Sequence, residues 1–276
     1  MQVIPGNAIH IGQRKQQQDA FALSDFDDAD FIAHGGYLAV VADGIGGLLY
    51  GAQAATVATT EFVTYYMSKL NEQSVEEVLD QALLAANQAV LNEAYWRNCS
   101  EQMGSTLVAA LIYEGHLYWR AVGDSHLYLY RDGRLSQLNA DHNFARELQR
   151  QVNEGLLCQA QADYHPDRDA LECYLGLHPL HEVERNANPL VLQGDDKVLL
   201  CSDGIDGVLT AEEIMACLAN SPMTAAQLLC DSTLQKQCAN QDNLTAVVLS
   251  YQDEDNEQSP QKSRSRWWLF GSAGFQ

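Results

Sequence analysis

The sequence predicts an α+β fold, and three observations carry that reading. Short apolar runs of strand length recur along the chain, several of them closing on an aspartate. The runs between residues 106 and 138 follow one another through tight turns, which implies antiparallel pairing. Two long helical segments stand in succession between strands, as a helical layer packed on a sheet requires. With 276 residues and a 46% apolar fraction, the chain has material for one sizeable domain.

Taken in order, residues 1–13 carry no basic stretch with an apolar segment behind it, so no signal peptide is expected. The polar run Arg14-Lys15-Gln16-Gln17-Gln18-Asp19 leads into a strand at residues 20–24 and an acidic loop at 25–30. Residues 37–42, apolar and β-branched, read as a buried strand that ends in Asp43-Gly44-Ile45-Gly46-Gly47. An alanine-rich helix is expected over residues 51–70, and Ser74-Val75-Glu76-Glu77 reads as a capping box opening a second helix to about Trp96. Strands at 106–113, 116–122 and 126–131 read as a meander, and Asp132-Gly133 is the hairpin turn into residues 134–138.

Residues 139–188 break the pattern with one helix candidate at 143–155, then irregular sequence holding His165-Pro166 and His178-Pro179. Insertions of this length are usually functional or mobile. A core strand returns at 197–202, Thr210-Ala211-Glu212-Glu213 caps a helix to about Ala219, another helix starts at Thr224, and the last core strand ends near Tyr251. From Gln252 onward an acidic run, then Lys262, Arg264 and Arg266, then Trp267-Trp268-Leu269-Phe270 read as a flexible charged and aromatic tail outside a domain at residues 1–251. Cations beside an aromatic cluster suit docking to a partner or a membrane face.

No apolar run approaches the ~20 residues of a bilayer-spanning helix. The net charge of −21 argues against nucleic acid or anionic lipid as a partner of the whole body. Seven cysteines, an odd number with no Cys-x-x-Cys pair, read as reduced thiols of a cytoplasmic protein. Cys201, inside an expected core strand, reads as filler rather than nucleophile.

The Asp43 segment is a strand that delivers one carboxylate at a fixed place, followed by glycines that let the backbone turn and approach a ligand. The device recurs in Ala121-Val122-Gly123-Asp124-Ser125 and in Val198-Leu199-Leu200-Cys201-Ser202-Asp203-Gly204. Asp242 stands just before a strand and Asp19 just after the polar run, and none of these carboxylates has a Lys or Arg beside it in sequence that would form a local ion pair. Strand ends gather at one rim of a sheet, so these groups can converge there. Converging carboxylates without cations repel one another, and hard divalent ions are the usual remedy; oxygen-only ligands favour magnesium or manganese over zinc.

Six segments in order, Arg14 to Asp19, Asp43-Gly44-Ile45-Gly46-Gly47, Met103-Gly104-Ser105-Thr106, Gly123-Asp124-Ser125, Ser202-Asp203-Gly204 and Asp242-Asn243-Leu244-Thr245, resemble the motif set of the metal-dependent protein phosphatases of type 2C, the PPM family, in its compact bacterial form. The resemblance implies a four-layer αββα sandwich, two antiparallel sheets flanked by helix pairs, with a metal cleft at one end and residues 139–188 as a flap beside it. It implies hydrolysis of phosphoserine and phosphothreonine in proteins by a metal-activated water at a binuclear Mn or Mg centre, with a third cation position, opposing a bacterial Ser/Thr kinase.

On the same resemblance Asp43 bridges both cations, the Gly44 carbonyl adds a ligand, and Asp203 and Asp242 complete one metal. Asp19 holds waters of the other, Gln18 stands where many members carry glutamate, and Asp124 matches the third-cation position. Arg14 binds the substrate phosphate and Asn243 orients from behind. Three departures stand out: Gln17 where bacterial members usually have Asn, His126 where an Arg is common, so that local ion pairing is lost, and Ile45 where some eukaryotic members place a proton-donating histidine. The other histidines (His10, His34, His116, His142, His165, His178, His181) lack ligand-like spacing and read as structural. The expected protein is a cytoplasmic monomer with phosphoproteins as partners. The competing readings are a phosphatase acting on a phosphorylated anti-sigma antagonist and a catalytically weak pseudophosphatase that binds phosphoproteins.

Overall fold

In the computed structural model, which describes residues 2–253, strand β1 (Gln2–His10) is followed by β2 (Asp19–Leu23), α1 (Ala29–Gly35) and β3 (Tyr37–Asp43). The helices α2 (Gly51–Met67) and α3 (Val75–Trp96) come next, then β4 (Leu107–Tyr113), β5 (His116–Val122), β6 (His126–Arg131) and β7 (Arg134–Gln137). The segment expected to form the flap holds α4 (Phe144–Asn153) and α5 (Gln159–Asp163), followed by the two-residue strands β8 (Glu184–Arg185) and β9 (Leu190–Val191). The chain closes with β10 (Lys197–Cys201), α6 (Asp203–Asp206), α7 (Ala211–Leu218), α8 (Pro222–Gln235) and β11 (Leu244–Gln252). The expected tail, apart from its first two residues, lies outside the described residues.

The strands form two antiparallel sheets, β1-β11-β10-β6-β7 and β2-β3-β4-β5-β8, with β9 paired to β5. Alternation along β3 explains how one apolar run serves two interfaces. Leu38 and Val40 face Phe62, Tyr66, Leu79 and Leu83 of α2 and α3. Ala39 and Val41 face the other sheet, where Val198, Leu200, Val247 and Leu249 meet them. On the far side, Leu199 and Val248 pack against Ile214, Leu218 and Leu229 of α7 and α8. Both sheets are covered on both faces, so their central strands read as continuous apolar runs. This is the αββα sandwich the resemblance implied.

The expected meander is not what forms. β4 and β5 make a hairpin in one sheet, but β6 pairs with β10 and β7 in the other. The chain crosses between sheets at Gly123-Asp124-Ser125. A short connection between two strands looks the same in sequence whether the second strand stays beside the first or changes layer. The acidic loop at 25–30 runs directly into α1, whose cap Asp28 accepts the Phe31 N–H at 3.0 Å. Helix α8 begins at Pro222 rather than Thr224, because a proline at the first helical position loses no hydrogen bond.

Of the two expected capping boxes, the one at Thr210 forms in both directions, Glu213 N–H to Thr210 Oγ1 and Thr210 N–H to Glu213 Oε2, while Ser74 makes no cap hydrogen bond with its side chain. Among the described residues no helix is long and apolar enough to cross a membrane. Thr210→Ala is therefore expected to cost about 1 kcal/mol in urea unfolding. Ser74→Ala should cost under about 0.5 kcal/mol; equal losses at the two positions would contradict the capping geometry.

Candidate active site

One rim of the sandwich collects the carboxylates. Asp19, first in β2, lies directly opposite Asp43, last in β3. Asp203 opens α6 immediately after β10, Asp242 precedes β11, and Asp124 sits on the crossing between the sheets. Asp43, Asp124, Asp203 and Asp242 line one cleft of about 470 Å³ together with Arg14. Gly46 and Gly47 form part of its wall, and the flap contributes Asp169, Ala170 and Leu171.

Each carboxylate is aimed by bonds made behind it. The Asp43 N–H donates to Thr106 Oγ1 (2.9 Å), and its carbonyl accepts from the Thr106 N–H (2.8 Å) and the Ser105 hydroxyl (2.8 Å). Thr106 Oγ1 also lies 2.6 Å from Ser125 Oγ, which ties Asp43 to the crossing that carries Asp124. Asp19 is 6% exposed, and its Oδ2 accepts from the hydroxyls of Ser202 and Thr245, each at 2.7 Å and each from the opposite sheet. Gly204 lets α6 start against the 242–243 segment, since a Cβ there would stand 2.0 Å from the Asn243 carbonyl oxygen. Gly44 is equally confined: a Cβ would meet the Gly51 carbonyl oxygen at 2.1 Å.

Asn243 behaves as an orienting residue. Its Oδ1 accepts the Gln18 N–H (2.7 Å), and its Nδ2 donates to the carbonyls of Ile11 (2.8 Å) and Gln16 (3.2 Å). The loop so pinned carries Arg14, whose Nη2 is 2.5 Å from Asp242 Oδ2. This cation is invisible to sequence proximity because 228 positions separate the partners. Gln18 enters the site through its backbone, accepting the Gly44 N–H at 3.1 Å, while its side-chain amide packs beside Gly51. The Gln17 amide is buried with no hydrogen-bond partner on either end, so the longer side chain is accommodated without being satisfied.

The expected loss of pairing at His126 is corrected. Its Nε2 lies 2.8 Å from Asp141 Oδ1 and its Nδ1 2.6 Å from Asp206 Oδ2, so it bridges the flap base to α6 as an arginine would. Burial alone would lower its pKa, but the Asp141 hydrogen bond and the close carboxylates of Asp141 and Asp206 outweigh that and push it up to about 10. Ile45 lines the cleft and has no proton to give, and no histidine lines it.

Burial and neighbouring charge together hold Asp19, Asp43, Asp124 and Asp203 out of the usual carboxylate range. Burial, then the charges of Asp19, Asp203, Asp242 and Asp124, drive Asp43 well above it. Burial lifts Asp19 to about 6, against the opposing hydroxyls of Ser202 and Thr245, and lifts Asp124 to about 7 with help from Asp203. Burial and Asp242 raise Asp203. A cluster of this kind is built for positive charge it does not itself supply. The donor set fits a hard divalent cation: it is oxygen throughout, and the second oxygen of Asp19 is buried without any donor. Residues the sequence reading missed are Asp169, an exposed acid in irregular sequence with no signal, and the hydroxyls of Ser202 and Thr245, which stood inside quoted motifs as apparent spacers.

The chain matches the family model described as Protein phosphatase 2C over residues 8–237. It is 30% identical over 238 residues to the serine/threonine protein phosphatase PstP of Mycobacterium tuberculosis, an alignment that takes in 84% of this chain and 44% of that protein. The chain thus spans under half the length of PstP. It is 26% identical over 244 residues to the protein phosphatase PhpP of Streptococcus pneumoniae, covering 84% of this chain and 94% of PhpP. The solved structure of PstP from M. tuberculosis superposes with a TM-score of 0.74 at 27% identity over 92% of this chain and 100% of the other. A PstP catalytic domain solved with two manganese ions gives 0.70 at 25% identity, covering 91% and 99%. PppA, described as a key regulatory component of the type VI secretion system in Pseudomonas aeruginosa, gives 0.72 at 26%, also covering 91% and 99%.

The raised carboxylates carry a sign that can be checked. A folded-state pKa of about 6 at Asp19 and about 7 at Asp124, against the usual 3.8, means the folded state holds extra protons between those values. In chelator these groups therefore remove stability as pH climbs from about 4 to about 7. Asp43→Asn is expected to raise the melting temperature in chelator at pH 7.5 while shrinking the rise that manganese produces. A lower melting temperature in chelator would contradict the electrostatic account.

Proposed function

The chain belongs to the protein phosphatase 2C family, and from that membership and the acidic cleft we propose that it hydrolyses phosphoserine and phosphothreonine in proteins. The carrying observation is the convergence of Asp43, Asp203, Asp242 and Asp124 with one guanidinium, Arg14, in a single cleft. Asp43, Asp203 and Asp242 would hold two Mn or Mg ions with the Gly44 carbonyl, Asp19 would steady the waters around them, and Asp124 would hold a third. Ions bound there would supply an activated water and neutralise charge on the phosphoryl oxygens.

The residues of the chain do the rest. The Arg14 fork faces the cleft and suits two phosphate oxygens; to take them it exchanges its Asp242 partner for the substrate, and the Asn243 bonds to its loop keep it within reach. Gly46 and Gly47 leave that wall without side-chain bulk, so a phosphate can come close to the backbone. Thr106 is no free nucleophile, because its Oγ1 is committed to the Asp43 N–H and to Ser125. Cys201 is fully buried, and burial with the nearby Asp206 charge drives its thiol far from ionisation. The nucleophiles that remain in the cleft are its carboxylates, and Asp43, Asp124, Asp203 and Asp242 would be committed to cations, so in this reading the attacking group is water and no phosphoenzyme forms. The flap over residues 139–188, through Asp169 to Leu171, borders the cleft where the protein around the phosphoresidue would lie.

The domain reading follows: residues 1–251 as the catalytic domain and 252–276 as a tail outside it. The partners are phosphoproteins, among them the substrates of a cognate Ser/Thr kinase. The names of PstP, PhpP and PppA support a signalling role of this kind. A phosphoprotein-binding scaffold is disfavoured by the cleft itself, because several mutually repelling carboxylates serve no purpose in binding an anion.

Turnover of p-nitrophenyl phosphate and of a phosphothreonine peptide should require manganese or magnesium and vanish in excess chelator. Asp203→Asn should cost more than the roughly 10–100-fold that loss of an outer-shell partner costs. Arg14→Ala should raise KM while leaving the manganese requirement nearly unchanged. Absence of turnover with every metal, from folded protein, would favour the scaffold; radiolabelled phosphoenzyme after acid quench would contradict attack by water.

A further inference from the structure

Outside the cleft, one buried group is not accounted for by its chemistry. His142, 1% exposed at the base of the flap, gathers three segments through its own atoms. Its Nδ1 accepts the Gly123 N–H at 3.2 Å, and its N–H donates to the Gly123 carbonyl at 3.0 Å, so one residue takes both backbone groups of Gly123. Its carbonyl accepts the Glu172 N–H at 2.8 Å, where the flap returns to the sandwich. Gly123 sits at φ +98°, and a Cβ there would stand 2.7 Å from Thr106 Cβ. The turn is thus a left-handed one, closed over the same Thr106 that anchors Asp43. The next residue is Asp124.

The other ring nitrogen looks at first like the business end. Nε2 is buried without a hydrogen-bond partner, 3.9 Å from Glu182 Oε1, and His142, Glu182 and Glu184 bring one ligand atom each within 4.8 Å of one another. The hydrogen bond from Gly123 argues against a cation there. An N–H donor facing Nδ1 requires a lone pair on Nδ1, which leaves the proton of a neutral ring on Nε2. A metal on Nε2 needs the opposite tautomer. Glu182 is moreover engaged by Arg146 at 2.6 Å.

We propose that His142 is a positioning residue whose Nδ1, by holding the Gly123 amide, fixes the Asp124 carboxylate and the base of the flap relative to the cleft. The role is specific to one ring atom, and side-chain geometry offers a way to isolate it. Asparagine places its Oδ1 the same number of bonds from Cα as Nδ1, whereas glutamine places its amide end where Nε2 lies. His142→Asn keeps an acceptor for Gly123 and loses everything facing Glu182. His142→Gln does the reverse.

The test measures amide hydrogen exchange at Gly123 and steady-state turnover of p-nitrophenyl phosphate in saturating manganese, for the full chain and for His142→Asn, His142→Gln and His142→Leu. His142→Asn should keep Gly123 protected and kcat within about threefold. His142→Gln and His142→Leu should speed exchange at Gly123 and lower kcat by about 10–100-fold, as loss of an outer-shell partner does, with KM little changed. Full function and protection in His142→Gln, with loss in His142→Asn, would overturn the proposal in favour of the Nε2 face. Equal behaviour of Asn and Gln would overturn it as well. Only the turnover arm rests on the phosphatase reading; were the parent chain inactive on phosphate esters, exchange at Gly123 would still decide.

Discussion

Mutual repulsion among carboxylates is the constraint on which the rest of the structure depends. Burial first, and then the charges of their neighbours, push the carboxyls of Asp19, Asp43, Asp124 and Asp203 upward, while Asp242 pairs with Arg14. Nothing in their own chemistry brings them together. They are held by a lattice of neutral groups behind them: hydroxyls of Ser105, Thr106, Ser202 and Thr245, the Asn243 amide, and glycines at 44, 123 and 204 that leave no room for a side chain. The two sheets supply this lattice jointly. Asp19 belongs to one sheet and takes both of its hydrogen bonds from the other, so the site spans the seam of the sandwich. Stability given up at the rim is offset by the three apolar layers beneath it.

The ends of the apolar runs were legible in sequence because buried strands are continuous and their terminations abrupt. Asp43, Asp124 and Asp203 each follow such a run directly, and the structure places all three on one cleft. The αββα layering was legible only through the family resemblance, since periodicity alone does not say which strands share a sheet. That is why the step from β5 to β6 reads as one more hairpin although it changes layer. β1 went unread because Pro5 and Gly6 interrupt its pattern. Both residues suit an edge strand, and Gly6 is where the start of α8 presses in, a Cβ there standing 2.1 Å from the Pro222 backbone.

What stayed hidden was of one physical kind: contacts between residues far apart in the chain. Arg14 with Asp242, and His126 with Asp206, have no local signature. His126 is instructive because a weaker base in an arginine's place was expected to forfeit its ion pairs. Two flanking carboxylates instead keep the imidazole charged, and the bridge from flap base to α6 survives the change of residue. Gln17 is the opposite case, a longer amide that fits without finding partners.

The central claim is that this rim is a cation site made by the whole sandwich. The most direct measurement is anomalous diffraction at the manganese edge from crystals grown with that ion. The account predicts two strong peaks within coordination distance of Asp43, with Asp203 and Asp242 on one of them. Peaks confined to the His142, Glu182 and Glu184 cluster, with none at Asp43, would contradict it.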